Sequence, residues 1–209
     1  MKLKGLYAVT PGLADTAGLL SRVEQALLGG VRLVQYRNKT ADAARRRQQA
    51  PALLDLCRRH DARLVINDDL RLALAIGADG AHLGREDGGL AAARAALGPG
   101  KLLGVSCYDE PERAREAKRI GADYVAFGSF FASPTKPAAV RAPLTLPAAA
   151  KAELGLPVSA IGGITLHNAP QLIAAGADLL AVVSDLFEAP DIRARAAAYT
   201  SLFTERATP

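Results

Sequence analysis

The residues best suited to chemistry fall in short groups separated by long apolar stretches. The first is Gln35-Tyr36-Arg37-Asn38-Lys39, where strand alternation puts Gln35, Arg37 and Lys39 on one side. Arg offers a planar fork for phosphate oxygens, Lys a mobile point charge, and Gln a paired donor and acceptor suited to a ring edge. Lys39 also reads as the start of an exposed helix. Ile66-Asn67-Asp68-Asp69 and Gly84-Arg85-Glu86-Asp87 then bring carboxylates to two neighbouring positions. Such a pair is costly unless a cation lies between them, and hard oxygen ligands suit magnesium bridged to a substrate phosphate. Asp68 and Asp87 are therefore candidate metal ligands, while Asp69 reads better as a helix N-cap and Asp87 fits either role.

The segment Ser129-Phe130-Phe131-Ala132-Ser133-Pro134-Thr135-Lys136-Pro137 combines aromatics, prolines, hydroxyls and one cation. It reads as a semi-rigid cover that excludes water and delivers Lys136 to an anion. Ala160-Ile161-Gly162-Gly163-Ile164 and Val182-Val183-Ser184-Asp185 offer glycine turns and a hydroxyl, a composition that suits phosphate held by backbone amides. Two anion sites, one bridged by metal and one made of amides, imply a transferase that joins two phosphorylated partners.

Each group ends a short apolar run: Leu6–Thr10, Val31–Arg37, Arg63–Asp68, Gly80–Gly84, Leu102–Cys107, Tyr124–Ser129, Val158–Gly163 and Leu179–Ser184. Most runs are continuous Val, Leu, Ile and Ala rather than alternating, as in parallel strands buried on both faces. A helix-like stretch follows each. The pattern predicts a single (β/α)8 TIM barrel over residues 1–209, with its site at one rim. Near-copies of Gly-Ala-Asp precede the fourth, sixth and eighth runs, at Gly77-Ala78-Asp79, Gly121-Ala122-Asp123 and Gly176-Ala177-Asp178. They read as a quarter-barrel repeat in which Gly ends a helix and Asp turns the chain into a strand.

The 209 residues lie near the lower size limit of such a barrel, and 50% are hydrophobic, enough for an interior and a helix-facing layer. No apolar stretch approaches the roughly 20 residues that span a bilayer, and Met1-Lys2-Leu3-Lys4 runs directly into the first strand, so a cytoplasmic location without membrane partners is expected. Cys57 and Cys107 show no disulfide or metal spacing, and neither do His60, His82 and His167. The net charge of +5 permits nucleic-acid binding. However, the cluster Arg45-Arg46-Arg47 with Arg58-Arg59 shares a predicted helix with Leu53, Leu54 and Leu56 and lacks aromatics, so a solvated outer face is expected and no nucleic-acid partner.

The ordered set of motifs resembles the thiamine-phosphate synthase family over almost the whole chain. Besides the groups above it includes Ala78-Asp79-Gly80-Ala81-His82-Leu83-Gly84-Arg85-Glu86-Asp87, Gly104-Val105-Ser106 and Ser133-Pro134-Thr135-Lys136. The resemblance implies coupling of 4-amino-5-hydroxymethyl-2-methylpyrimidine diphosphate to 4-methyl-5-(2-phosphoethyl)thiazole, or its carboxylated form, with Mg2+ as cofactor. By the same resemblance Gln35 and Ser106 hold the pyrimidine, Arg37, Lys39, Asn67 and Lys136 the diphosphate, and Asp68 and Asp87 the metal. Ser133 and Thr135 line the thiazole side, Gly163, Val183 and Ser184 bind its phosphate, and Tyr36 and Asn38 join the substrate-binding set. Arg37, Lys39, Ser106 and Lys136 are the implied catalytic group, acting on a dissociative path in which pyrophosphate leaves first.

The chain has Ser133 where the family commonly has Thr, Gly128-Ser129 where it often has Gly-Pro, and Tyr108 where it has His. Tyr108 argues against the related thiazole tautomerases, which look to that histidine for proton transfer. A tautomerase-like isomerase and a non-catalytic phosphate-binding barrel are the alternatives. The sequence leaves homo-oligomer formation open.

Overall fold

A computed structural model describes residues 3–132 and 141–204. Eight strands, β1 (Gly5–Val9), β2 (Leu33–Tyr36), β3 (Arg63–Asn67), β4 (Gly80–Leu83), β5 (Leu102–Tyr108), β6 (Tyr124–Phe127), β7 (Val158–Ile161) and β8 (Leu179–Val182), pair in parallel and close into a barrel in chain order. The helices between them are α1 (Thr16–Leu28), α2 (Ala43–Arg59), α3 (Leu70–Ile76), α4 (Leu90–Leu97), α5 (Pro111–Ile120), α6 (Leu146–Leu154) and α7 (Ala169–Ala174). A short α8 (Ser184–Phe187) and α9 (Ile192–Thr204) follow the last strand.

Every strand is buried on both faces, which is why the runs lack alternation. Tyr7, Val9, Leu33, Val65, Leu102, Tyr124, Leu179 and Ala181 fill the barrel. Val34, Ile66, Leu83, Val105, Phe127 and Val182 face the helices, where they meet Leu19, Val23, Leu53 and Leu172. Cys107 belongs to this outer layer rather than to the rim, and burial pushes its thiol up to about 12, so it is inert at neutral pH.

The observed strands stop one or two residues before the apolar runs do, except β5, which continues through Tyr108. Ser184 opens α8 instead of ending a strand. The reason is local: Asp68, Gly162 and Gly163 adopt positive φ of 63°, 104° and 62°, which turns the chain out of the sheet.

The Gly-Ala-Asp repeat does more than turn the chain. Gly77, Gly121 and Gly176 take the left-handed conformation after their helices, as expected. Each Asp then clamps the start of the preceding strand. Asp79 Oδ2 accepts from Leu64 N (2.8 Å), Asp123 Oδ2 from Leu103 N (2.7 Å) and Asp178 Oδ2 from Val158 N (3.0 Å). Their own amides donate back to the carbonyls of those three residues at 2.8–2.9 Å. These clamps lie at the barrel end opposite the site.

Candidate active site

Among the described residues, the C-terminal strand ends gather the groups singled out above. Gln35 and Ser106 are the ends of one buried chain of hydrogen bonds. Gln35 Nε2 donates to the Tyr7 hydroxyl (2.8 Å), Tyr7 and Tyr124 share a hydrogen bond of 2.7 Å, Tyr124 lies 3.0 Å from His82 Nδ1, and His82 Nε2 lies 2.8 Å from Ser106 Oγ. Burial pulls the His82 imidazole down to about 4, so it is neutral at physiological pH, and burial raises both phenols far above their usual range. Gly104 makes room for the chain: a Cβ there would overlap the Tyr124 phenol and lie 2.6 Å from His82 Nδ1. Ser106 is fixed from the other side, since Arg113 Nε on α5 donates to its carbonyl (2.7 Å).

Arg37 follows β2 directly. Its amide donates to Thr10 Oγ1 (2.9 Å), which donates in turn to the Arg37 carbonyl (3.2 Å), so the backbone is fixed while the guanidinium forms no ion pair among the described residues. Lys39 Nζ lies 3.3 Å from Asp68 Oδ2. Asp87 accepts from the Gly84 amide (2.6 Å) and sits against Asp68; its pKa is raised chiefly by desolvation, with the Gly84 bond opposing and the Asp68 carboxyl adding. Asp87 is no helix cap, because Gly89 holds that position before α4; Asp69 is one, accepting from Leu72 N. Asn67, Lys39, Asp68 and Asp87 line a cavity of about 420 Å³ over the ends of β2 and β3.

That cavity also contains Arg46 and Arg71. Arg46 thus corrects the reading of Arg45-Arg46-Arg47 as a wholly solvated face: its Nε is buried and unpartnered among the described residues. Its spacing seven residues after Lys39 on the following helix was the available signal.

Two further motif residues line this cavity and are also tied to the helix layer. Tyr36 points into the helix layer, where its hydroxyl donates to Gln49 Oε1 (2.9 Å), and the Asn38 amide donates to the Leu13 carbonyl (2.9 Å) and to Gln49 Oε1 (3.1 Å). Asn38 Oδ1 accepts from Thr40 Oγ1 and Ala41 N, so this side chain shapes the turn after β2.

Gly163, Val183 and Ser184 lie at the adjoining ends of β7 and β8. Asn168 holds the glycine turn by donating to the Gly163 carbonyl (2.9 Å) and accepting from Thr165 N. Asp185, next along, is bound to Arg195 and Tyr199 of α9 at 2.7 Å each and is structural. The segment after β6 departs from the expected cover. Phe130 is buried in the helix-facing layer with Phe131 packed against it, and the amides of both extend the pairing along β7 to Ile161 and Gly162. The aromatics anchor this loop rather than shield a ligand. Ser133, Thr135 and Lys136 lie outside the described residues.

Sequence reasoning missed Thr10, Tyr7, Tyr124 and Asn168. A tyrosine inside a buried strand was the signal for two of them, because a buried phenol needs a partner.

Parallel barrel, paired carboxylates, cations and glycine turns at one rim define a (β/α)8-barrel enzyme acting on small molecules. The model of the family described as thiamine monophosphate synthase matches residues 6–186. The thiamine-phosphate synthase of Aromatoleum aromaticum is 59% identical over 202 residues, covering 97% of both chains. That of Thiobacillus denitrificans is 57% identical over 199 residues, covering 95% of this chain and 94% of its own. The solved thiamine phosphate pyrophosphorylase from Pyrococcus furiosus superposes with a TM-score of 0.86 at 32% identity, covering 97% and 96% of the two chains. The chain belongs to the thiamine-phosphate synthase family, a family of transferases. Among the described residues no helix is long and apolar enough to cross a membrane.

Proposed function

We propose that the chain joins 4-amino-5-hydroxymethyl-2-methylpyrimidine diphosphate to 4-methyl-5-(2-phosphoethyl)thiazole, or its carboxylated form, releasing pyrophosphate. The observation that carries this reading is the position of Gln35 and Ser106 on one buried chain beside the Lys39, Asp68 and Asp87 cluster. Groups suited to a polar ring beside groups suited to a diphosphate support the reading. Gln35 and Ser106 orient the ring; Arg37, Lys39 and Asn67 hold the diphosphate. The bond between the pyrimidine methylene carbon and oxygen breaks with its electron pair leaving on pyrophosphate, and the thiazole nitrogen lone pair forms the new C–N bond. The reaction needs no nucleophile and base pair, because charge on the leaving group is the main barrier. Ser133 and Thr135 on the thiazole side and Lys136 at the diphosphate complete the set from sequence alone, with Gly163, Val183 and Ser184 for the thiazole phosphate.

Mg2+ fits Asp68 and Asp87. Two carboxylates with substrate phosphate oxygens would give such an ion the hard oxygen ligands it prefers. Burial raises the Asp87 carboxyl most and the neighbouring Asp68 adds to it, and a divalent cation would relieve both. When bound, the ion neutralises charge on the departing pyrophosphate. An assay with both substrates and Mg2+ tests the reading: thiamine phosphate and pyrophosphate form in equal amounts, and their absence overturns it. Calorimetry with pyrophosphate should show binding that needs Mg2+.

A further inference from the structure

Tyr7, Tyr124 and His82 form a proton-counted link between the two ring-facing groups. The link has four hydrogen bonds, from Gln35 to Tyr7, Tyr7 to Tyr124, Tyr124 to His82 and His82 to Ser106. Its three interior groups carry one proton each when the imidazole is neutral. Three protons cannot fill four bonds, so one end group must donate inward, and only one can. If Gln35 donates, every bond runs the same way: Tyr7 to Tyr124, Tyr124 to His82 Nδ1, and His82 Nε2–H to Ser106. The Ser106 hydroxyl proton is then free to donate outward and Gln35 Oε1 is free to accept. If Ser106 donates inward, all four bonds reverse, Gln35 turns its amide over, and the outward roles of both ends invert. An intermediate arrangement leaves a buried bond unfilled or sets two protons against each other, each costly in this enclosed site.

We infer that Tyr7, Tyr124 and His82 are positioning residues that lock the donor and acceptor roles of Gln35 and Ser106 to each other. In the structure the Gln35 amide nitrogen faces Tyr7. The mouth therefore presents a donor at Ser106 and an acceptor at Gln35, matching a ring nitrogen beside an exocyclic amine. A ring with an oxo group and a protonated nitrogen has the inverted edge. This ligand half rests on the aminopyrimidine reading above; the coupling itself does not.

The experiment reads the His82 tautomer by nitrogen NMR of the imidazole. The wild-type chain should carry the proton on Nε2. Gln35→Glu at mildly alkaline pH supplies an end that only accepts, so the chain must reverse and the proton should move to Nδ1, three hydrogen bonds away. In Gln35→Glu with Tyr7→Phe the link is cut, Tyr124 again has only His82 to donate to, and the proton should return to Nε2. An unchanged tautomer in Gln35→Glu, or the same change in the double variant, overturns the coupling. Should the buried carboxylate prevent folding, Ser106→Ala removes only a rim hydroxyl and gives the readout from the other end. With no acceptor for Nε2–H the proton should move to Nδ1, since an orphaned buried donor is worse tolerated than an orphaned acceptor; a proton still on Nε2 counts against the link. For the ligand half, the 4-amino pyrimidine diphosphate should leave the tautomer unchanged, and the 4-oxo analogue should be excluded or bind with the proton on Nδ1. Equal binding of both with no change overturns that half, whereas failure of the 4-amino compound to bind sinks the functional reading and leaves the coupling to the variants.

Discussion

Gln35 and Ser106, 71 positions apart in the chain and on opposite sides of a strand pair that separates β2 from β5, are joined by hydrogen bonds that pass through the barrel interior. Neither side chain is therefore an independent contact. On the coupling inferred above, a change at one should be felt at the other.

Gly104 is the first place to test this arrangement. A methyl group at this position overlaps the Tyr124 phenol and crowds His82 Nδ1. Gly104→Ala should lower stability by about 1–3 kcal/mol, the usual range for overpacking a core, and should weaken pyrimidine binding more than thiazole binding. Urea unfolding and separate KM values for the two substrates check both parts.

His82 gives the fold a pH dependence. Burial pulls the imidazole from its ordinary 6.5 down to about 4, so the neutral form is the one the fold favours. The contribution is complete above the unfolded value and is lost as pH falls from 6.5 through about 4. Integrated over that window it is about 3 kcal/mol. Unfolding free energies across the range should show this loss, and His82→Gln should remove it; a wild-type curve as flat as the variant's would contradict the buried neutral imidazole.

Asp87→Asn keeps an oxygen to accept the Gly84 amide and removes the charge that Asp68 opposes. The fold should persist with an unchanged melting temperature. Turnover should fall by about a hundredfold or more, the cost of losing one charged stabiliser of a developing anion, and excess Mg2+ should restore part of it. Full wild-type turnover under thorough chelation would exclude the metal assignment.

The three aspartate clamps should act separately, because each closes a different strand pair. Replacing Asp79, Asp123 or Asp178 by Ala leaves one strand-start amide without its side-chain acceptor. Each change should cost about 1–3 kcal/mol, and pairs of changes should add. None should alter KM, since the clamps lie away from the rim; a shift in KM would mean the two barrel ends communicate.

The barrel was legible because parallel strands buried on both faces leave continuous apolar runs, and the repeated Gly-Ala-Asp marked their spacing. The exact strand ends were not, because positive φ at Asp68 and Gly163 is a turn property that hydrophobicity does not record. At β2 the alternation that turns Gln35 inward turns Tyr36 outward, so the partners of its hydroxyl on the next helix were not readable from the motif alone. Phe130 misled for a related reason: an aromatic in a loop looks exposed until the loop extends the neighbouring strand's pairing. The interior link was invisible in sequence, since Tyr7 and Tyr124 stand 117 positions apart and meet only when the barrel closes.

The clamps have a consequence for how the chain can be divided. They tie β3 to β4, β5 to β6 and β7 to β8, and none ties β4 to β5. A chain cut at the turn through Gly98 and Gly100 severs no clamp, so each half keeps its own fastenings and the halves are natural partners for fragment complementation. The link from Gln35 to Ser106 is sewn the other way. Tyr7 and His82 belong to one half, Tyr124 and Ser106 to the other, and the hydrogen bonds cross that seam at every step after Gln35 meets Tyr7.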